Sequence, residues 1–340
     1  MPEANSLLSQ IHKLVTVDVD SMDSAVAARH ALSTEAFSDM TSNQAILYNE
    51  AIRPENSALI KHAIQYVQAK ALNQSPDAFI QDVIDVLTVL LAKRVYPNIT
   101  GKLHAQTSPS TAYDSEKTIE HAKKLVALFE EHDIPKNRVC IKIPATPESM
   151  IACHYLTKIG IQTLATCLFS VPQAVAASQA GCIYVAPYFN ELQELRVHFE
   201  PQLWIEYKNP VVEHPMSQVI QSIIQLFKEI NSKTLVMPAS IVNAKEAIAL
   251  ASLRPDHITI SSAVLDELAS SPAVAPEIMD QAASCFVPSV KGIGYLDNSA
   301  VLLKEALMGD HTASKKLVDA LSIFEEYEKK TKDFIKQFEL

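Results

Sequence analysis

The chain is poor in the features that mark several common classes of protein. It has six glycines in 340 residues, and no glycine-rich loop of the kind that cradles phosphate groups. Its eleven histidines show neither HxH nor HExxH spacing, so no metal site is indicated and we expect no cofactor. The formal charge is -10 with no basic stripe, which argues against nucleic acid as a partner.

Two kinds of hydrophobic segment are also missing. No run of about 18 apolar residues is present that could cross a membrane. The start of the chain, MPEANSLLSQIHKL, lacks the charged-then-apolar pattern of a secretory signal. The five cysteines are odd in number and scattered, so a disulfide framework is not indicated. We therefore expect a soluble, cytoplasmic protein with no membrane partner.

What the chain does contain is a regular alternation of short apolar runs and longer helical patterns. This alternation is typical of a parallel sheet wrapped by helices. The eight runs are Val15–Asp20, Ala36–Asn43, Lys102–Thr107, Val139–Ala145, Gln162–Leu168, Cys182–Tyr188, Thr234–Ser240 and His257–Ser262. Eight such units predict an α/β fold, a single (β/α)8 TIM barrel. Because no linker or internal repeat divides the chain, we expect one domain over residues 1–340.

The helical patterns between the runs have recognisable boundaries. Apolar residues repeat at helix spacing from Asp114, a plausible N-cap, to His132. Gly160 and Gly181 each lie between a helical pattern and the next run, where a left-handed residue ends a helix. Two segments exceed a minimal barrel: 54–93 is long enough for two helices, and 298–338 predicts a C-terminal helical layer that covers the barrel.

The most unusual local feature is a lysine inside an apolar strand. In VCIKIPAT, residues 139–146, Lys142 interrupts a strand that should be covered on both faces. Burial disfavours the charged form of an amine and lowers its pKa by up to ~3–5 units. A lysine that is neutral part of the time attacks ketones. The commoner alternative for a strand lysine is that it reaches the strand end or pairs with a carboxylate.

Other polar side chains gather at the same ends of the predicted strands. Asp18 and Asp20 fall on one face of VTVDVD, where barrel enzymes keep their acids and bases, although a structural ion pair is an equal alternative. Later runs also carry a hydrogen-bonding residue at or near their C-terminal end: Asn43, Gln106, Thr166, Tyr188 and Ser240. Each alone is more often a satisfied polar residue. Their shared position predicts a ring around one pocket.

At these residues the chain resembles the transaldolase family, including its fructose-6-phosphate aldolase branch, over most of its length. The matching stretches are FSDMTSNQAI (37–46), GKLHAQTSPSTAYDSEKTIEHAKKL (101–125), VCIKIPATPESM (139–150), GIQTLATCLFSVPQAVAASQAGCIYVAPYFNE (160–191) and VMPASIVNAKEAI (236–248). The resemblance implies a cofactor-independent class I aldolase in which Lys142 forms the Schiff base. It also places the carboxylate of the first strand on Asp20, and the amide that binds a donor hydroxyl on Asn43.

Three positions are more similar to the aldolase branch than to transaldolases proper. Gln106 stands where transaldolases have a glutamate, and Ala186 and Tyr188 stand where they have serine and phenylalanine. The resemblance implies that Gln106, Thr166 and Tyr188 hold a water that moves protons. Asp20 would orient the donor hydroxyls or accept a proton during cleavage.

One departure concerns phosphate. Family members that bind sugar phosphates carry an arginine after the APY or SPF turn and a basic residue after the ASF turn, but this chain has Glu191 and Val242 there. A carboxylate repels phosphate and the lost charge-assisted bonds weaken its binding. We therefore expect a substrate that is not held by the usual clamp, unless Arg196, His198 or Lys245 replaces it.

The sequence thus predicts an enzyme that makes or breaks a C–C bond between a small hydroxyketone donor and an aldehyde acceptor. Ser240, Ala186, Glu191 and Asn43 are the substrate-binding candidates beside the catalytic set. Two alternatives stay open: a conventional transaldolase of the pentose phosphate pathway, and a non-catalytic barrel that serves as a binding or scaffold protein. The assembly is also open, with a homodimer favoured.

Overall fold

The computed structural model describes residues 6–31, 36–70, 75–191 and 205–338. Its strands are β1 Thr16–Asp20, β2 Leu103–Gln106, β3 Val139–Pro144, β4 Thr163–Leu168, β5 Tyr184–Pro187, β6 Leu235–Val236 and β7 His257–Ser261. Strands β2 to β6 pair in parallel in chain order, and β1 pairs in parallel with β7. These strands coincide with seven of the eight predicted runs.

The remaining run, 36–43, joins the two sheets through isolated bridges. Met40 bridges Val19 of β1 on one side and Leu103 of β2 on the other. A continuous strand does not form because carboxylates occupy ladder positions: Asp39 Oδ1 accepts from the N–H of Lys102 at 2.8 Å. At the opposite edge a single backbone hydrogen bond, from Thr259 of β7 to Pro238 after β6, links the last two strands at 3.2 Å.

All eight segments therefore follow one another in cyclic order, and the fold is the predicted (β/α)8 barrel. The helices are α1 Leu7–His12, α2 Ser24–His30, α3 Gln44–Ala51, α4 Ser57–Lys70, α5 Pro76–Val95, α6 Ser115–Glu131, α7 Pro147–Lys158, α8 Val171–Ala180, α9 Pro210–Glu213, α10 Pro215–Glu229, α11 Ala244–Ser252, α12 Ser262–Ser270, α13 Asp297–Gly309 and α14 His311–Ile335. None of these described helices has both the length and the apolar character needed to cross a bilayer.

The predicted helix boundaries are confirmed. Asp114 caps α6 by accepting a hydrogen bond from the N–H of Lys117 at 3.0 Å. Gly181 ends α8 with a φ of 81°, and a Cβ there would collide with the side chain of Thr157. Gly160 follows α7 with a φ of 71°. The two helices expected in 54–93 are α4 and α5, and the C-terminal layer is α13 and α14.

Three aromatic rings identify the face of each strand that lines the barrel. Strands β2 and β5 are separated by two strands, yet the ring of His104 lies 5.4 Å from that of Tyr184. Tyr184 in turn lies 5.1 Å from His257 of β7. Only the barrel interior brings such strands together. Because side chains alternate along a strand, Gln106 and Tyr188 also point inward, nearer the C-terminal end.

Helix α14 lies over the C-terminal end of the barrel. It packs against α3, which follows the 36–43 run, and against β4. Phe324 of α14 is completely buried. Barrel enzymes place their chemistry at this end of the strands. The C-terminal helix therefore forms the roof of the region in which the polar strand ends meet.

Candidate active site

Lys142 lies in the barrel interior, beside Gln106. The two residues are register partners across β2 and β3, so their side chains share one face. Lys142 is 2% exposed, and its Nζ makes no hydrogen bond or ion pair with the described residues. Burial lowers the pKa of Lys142 below its ordinary 10.5, while the carboxylate of Asp20 acts in the opposite direction. The geometry gives an amine that loses its proton more readily than a surface lysine.

Tyr188 and Thr166 lie next to this amine. Thr166 Oγ1 donates to Tyr188 Oη at 2.9 Å, and the ring centroid of Tyr188 is 5.8 Å from Lys142 Nζ. Burial raises the pKa of Tyr188 well above its ordinary value of 10.0. The phenol therefore keeps its proton near neutral pH and can act as a donor.

A bulge places one more group here, the thiol of Cys167, which the sequence analysis did not single out. The β4–β5 register shifts between Ala165 and Leu168, and Cys167 has a φ of 51°. Its thiol is close enough to interact electrostatically with Lys142, but burial raises its pKa to about 12. The thiol stays protonated and is no nucleophile. The period of two could not reveal it because the bulge breaks that period.

Gln106 is held by a second glutamine that the sequence analysis did not single out. Gln106 Nε2 donates to Gln44 Oε1 at 2.7 Å, and Gln44 Nε2 donates to the carbonyl of Thr107 at 3.0 Å. Gln106 Oε1 is buried and has no hydrogen-bond partner. The glutamine predicted to hold water thus presents a free acceptor. Gln44 gave no local signal because it belongs to the first turn of α3, not to a strand.

Asp20 and Asn43 lie at the edge of the interior. Thr41 Oγ1 donates to Asp20 Oδ1 at 2.6 Å and lies 2.6 Å from Thr259 Oγ1. Asn43 caps α3: its Oδ1 accepts from the N–H groups of Ala45 and Ile46, at 2.9 and 3.0 Å. Because the cap occupies the oxygen, the NH2 end of Asn43 is the end that can donate to a ligand.

A cavity of about 310 Å³ opens above these two residues and reaches α14. Hydroxyl and amide groups dominate its polar lining, which comprises Asn43, Asn49, Ser240, Thr259, Ser261, Ser262 and Tyr327. Ser240 Oγ is buried without a partner, on a residue with a φ of 63°. Among the described lining residues, Asp20 is the only charged one. Lys142, Thr166 and Tyr188 are not in this lining, and Gln106 lines a separate, smaller cavity together with Gln44.

The departure at the phosphate clamp has a structural counterpart. Glu191 pairs with Lys316 of α14 at 3.4 Å, and Lys316 Nζ lies 5.9 Å from the ring centroid of Phe169. Lys245 pairs instead with Glu206 at 3.7 Å. Lys316 is a cation near the site that the sequence analysis missed, since it comes from the C-terminal helix.

The remaining predicted positions in this region are Val242, Ala186, Arg196 and His198. The N–H of Val242 donates to Glu246 Oε2 at 2.9 Å. Ala186 is buried in β5. Arg196 and His198 lie outside the described residues.

Below the candidate site lies a second polar cluster, which we call the lower layer: Asp18, Asp39, His104, Tyr184 and His257. Asp18 accepts from the N–H of Asp39 and pairs with His257 Nδ1, both at 2.8 Å. Asp39 Oδ2 pairs with His104 Nε2 at 2.8 Å. Of the two aspartates of β1, Asp18 is thus the structural ion pair and Asp20 the residue that faces the cavity.

Burial opposes the charged form of both lower-layer carboxylates, with different results. It raises the pKa of Asp18 to about 6, against the pull of His257. For Asp39 the bonds from His104 and from the N–H of Lys102 outweigh burial, and its pKa lies well below the ordinary value. The lower layer is therefore charged and hydrogen-bonded inside a barrel that commonly packs branched apolar residues.

Comparison with known proteins gives a consistent result. Residues 16–334, which include every strand and helix from β1 to α13 and most of α14, match the family described as Transaldolase/Fructose-6-phosphate aldolase. A protein named transaldolase from Alteromonas mediterranea is 34% identical over 234 residues, 69% of this chain and 71% of its own. One from Gibberella intermedia is 31% identical over 289 residues, covering 84% and 85%. One from Methylobacillus flagellatus is 30% identical over 263 residues, covering 77% and 79%.

Proposed function

Since this chain belongs to the transaldolase/fructose-6-phosphate aldolase family and is an enzyme of the class I, Schiff-base type, we propose that Lys142 is its Schiff-base lysine. The reaction makes or breaks a C–C bond between a small hydroxyketone donor and an aldehyde acceptor. The substrate is not held by a two-cation phosphate clamp.

One observation carries this proposal: a buried lysine without an ion pair lies beside a protonated phenol. Lys142 is 2% exposed, and its one described ring contact is with Tyr188. A charged amine in such a place lacks hydration and a direct ion pair, so it loses its proton more readily than a surface lysine even though the Asp20 carboxylate opposes this. A lysine with a purely structural role would be paired with a carboxylate.

The geometry supports the following roles in cleavage. Neutral Lys142 attacks the ketone carbonyl, and the carbinolamine loses water to give an iminium that accepts the electron pair of the breaking C–C bond. Asp20 orients the donor hydroxyls and takes the proton of the hydroxyl that becomes the aldehyde carbonyl. Tyr188 supplies the proton for loss of water, takes up the proton that Asp20 removed, and passes it on to the enamine. Water then hydrolyses the resulting iminium, which frees the donor ketone and Lys142 and returns a proton to Tyr188. Capture of the enamine by a second aldehyde instead gives a transferase.

The cavity supports an uncharged, hydroxylated substrate. Its described lining offers hydroxyls, amides and Asp20, with no lysine or arginine, and Glu191 stands where a clamp cation would be. Groups of this kind hydrogen-bond to a polyol, but they do not neutralise a phosphate.

A conventional transaldolase acting on sugar phosphates is the second candidate. The names of the three relatives described above favour it, because each is called transaldolase. Lys316 would then have to leave Glu191 and bind the phosphate.

A paired turnover assay separates the two candidates. One arm offers fructose 6-phosphate with erythrose 4-phosphate, and the other offers dihydroxyacetone with glyceraldehyde. We expect the unphosphorylated pair to be turned over with the higher kcat/KM, and Lys142→Met to abolish the reaction. Turnover of the phosphorylated pair at ordinary enzyme rates would overturn the substrate proposal and support the second candidate. No turnover in either arm by the folded protein would favour the non-catalytic barrel.

A further inference from the structure

A pair of glutamines beside the proposed Schiff-base lysine has a defined direction of hydrogen bonding. We propose that Gln44 is a positioning residue that fixes the amide of Gln106 with its carbonyl oxygen towards the reaction site. A water or substrate hydroxyl there must then donate to Gln106 and cannot receive a proton from it. This inference rests on the function proposed above.

The orientation is anchored by a backbone carbonyl, which can only accept. Thr107 O accepts from a Gln44 nitrogen at 3.0 Å, so the NH2 end of Gln44 faces Thr107 and its Oε1 faces the other way. That oxygen needs a donor, and the group 2.7 Å away is Gln106, which must therefore offer its NH2. The remaining end of Gln106 is its carbonyl oxygen. Reversing either amide would place two donors or two acceptors face to face.

The free oxygen is a second, independent observation. Gln44 is 6% and Gln106 is 7% exposed, and Gln106 Oε1 has no partner in the described part of the chain. A buried acceptor without a donor is unfavourable. The site is therefore built to receive a hydrogen bond from something that is not part of the protein, next to Lys142 in the β2–β3 register.

The opposite side of the site has the complementary direction. Thr166 Oγ1 donates to Tyr188 Oη at 2.9 Å, so the phenol oxygen accepts from the protein and its own proton is left to donate. A water between Tyr188 and Gln106 would accept from the phenol and donate to the amide. Proton transfer then follows one fixed path, between Tyr188, the water and the substrate. Gln106 orients that water and gains or loses no proton.

The test follows the exchange of the α-hydrogens of hydroxyacetone with deuterated water, which reports proton transfer to and from the enamine. We expect Gln44→Met to slow exchange by about 10-fold, less than the ~10²–10⁴-fold of a positioned proton transfer itself, because Gln44 acts only through Gln106. Gln106→Leu should slow it at least as much, and the double variant should match Gln106→Leu. Gln81→Met is the matched control: Gln81 bonds to Asp85, not to Gln106, and exchange should be unchanged.

The outcomes separate cleanly. An unchanged rate in Gln44→Met overturns the inference, and so do additive losses in the double variant, which would indicate general destabilisation. Absence of exchange in the native protein overturns the proposed function itself, and with it the inference.

A second variant tests the direction even if Gln44→Met folds poorly. In Gln106→Glu the new carboxyl faces Gln44 Oε1, an acceptor, so the protonated form is favoured and its pKa rises. The pH profile of exchange should then show an inflection that moves to lower pH when Gln44→Ala is added, a comparison that leaves Lys142 beside the carboxyl unchanged. An inflection that moves to higher pH would show that Gln44 donates to residue 106, and it would contradict the proposed orientation.

Discussion

Two polar layers lie one above the other inside the barrel. The lower layer was defined above, and the upper layer comprises Asp20, Gln106, Lys142, Thr166 and Tyr188. In the lower layer both carboxylates accept two or more hydrogen bonds from described groups, and His104 Nδ1 is the exception without a partner. In the upper layer, Lys142 and Gln106 Oε1 are buried without such partners.

Buried polar groups therefore have two different roles in this one fold. Groups whose hydrogen-bonding capacity is fully used stabilise the fold, since removing one member leaves a buried charge. Groups that lack a hydrogen-bond partner within the protein can still bond to a ligand. The two layers differ by only two residues along β1, from Asp18 to Asp20, and along β2, from His104 to Gln106. Substitutions in the upper layer should therefore affect activity, and substitutions in the lower layer should affect stability.

The largest effect should come from Lys142→Met. Loss of the nucleophile should lower the rate of aldol cleavage by more than about 10³-fold. Stability should not fall by more than about 1 kcal/mol, because the amine has no ion pair to lose and methionine fills a similar volume. Kinetics together with urea unfolding check both statements. A variant that loses several kcal/mol of stability would show that Lys142, like the lower-layer residues, stabilises the fold.

The next largest effect should be a difference between two tyrosines, Tyr184 of β5 and Tyr188, which directly follows that strand. Tyr188→Phe removes the proposed acid and should lower kcat by about 10²–10⁴-fold. Tyr184→Phe, one layer below, removes a hydroxyl that bonds to Asp39 and should cost about 1 kcal/mol of stability with little change in kcat. Equal effects of the two substitutions on kcat would abolish the distinction between the layers.

His257→Ala should be the converse case. Removing the imidazole leaves Asp18 with an uncompensated buried charge and should cost about 3 kcal/mol in unfolding free energy. Burial already raises the pKa of Asp18 to about 6, so its folded-state pKa lies above the unfolded value. The stability deficit should therefore grow as the pH rises from about 5 to about 8, the range in which the carboxyl ionises.

Thermal and urea unfolding of His257→Ala at several pH values measure this deficit. His62→Ala, an exposed histidine of α4, serves as the control and should change nothing. A deficit that shrinks with rising pH would contradict the assignment of Asp18 and His257 as a structural pair.

The smallest effect concerns Asp20. Its carboxylate raises the pKa of Lys142, in opposition to burial, so Asp20→Asn should lower that pKa further. The pH at which Schiff-base formation is half-maximal should move down, even though turnover falls. Reduction of the imine with cyanoborohydride at each pH gives the midpoint. In Asp23→Asn, where the carboxylate pairs with Arg53, the midpoint should not move. An upward shift in Asp20→Asn would mean that the two groups are not coupled as described.

Much of the barrel and part of the site follow from local pattern. The strands lie where short apolar runs indicated them, and Asp114, Gly160 and Gly181 end or begin helices because capping depends on adjacent residues. Lys142 was recognisable because a charge inside an apolar run is unusual in any fold.

The rest depends on contacts between distant parts of the chain. Asp18 and His257 are 239 residues apart, and their bond leaves no local signature. Gln44 and Gln106 meet only because the 36–43 run bridges β1 and β2. Lys316 reaches Glu191 only after α14 has crossed the end of the barrel. Periodicity predicts which face a residue occupies, but it does not predict which residue of another segment will lie opposite.

The most direct test of the central statement, that the unpaired amine of Lys142 is the reactive group, is borohydride reduction in the presence of dihydroxyacetone, followed by peptide mapping. We expect one adduct per chain, located on Lys142, and none in Lys142→Met. An adduct on another lysine, or no adduct while the folded protein still cleaves an aldol, would contradict it.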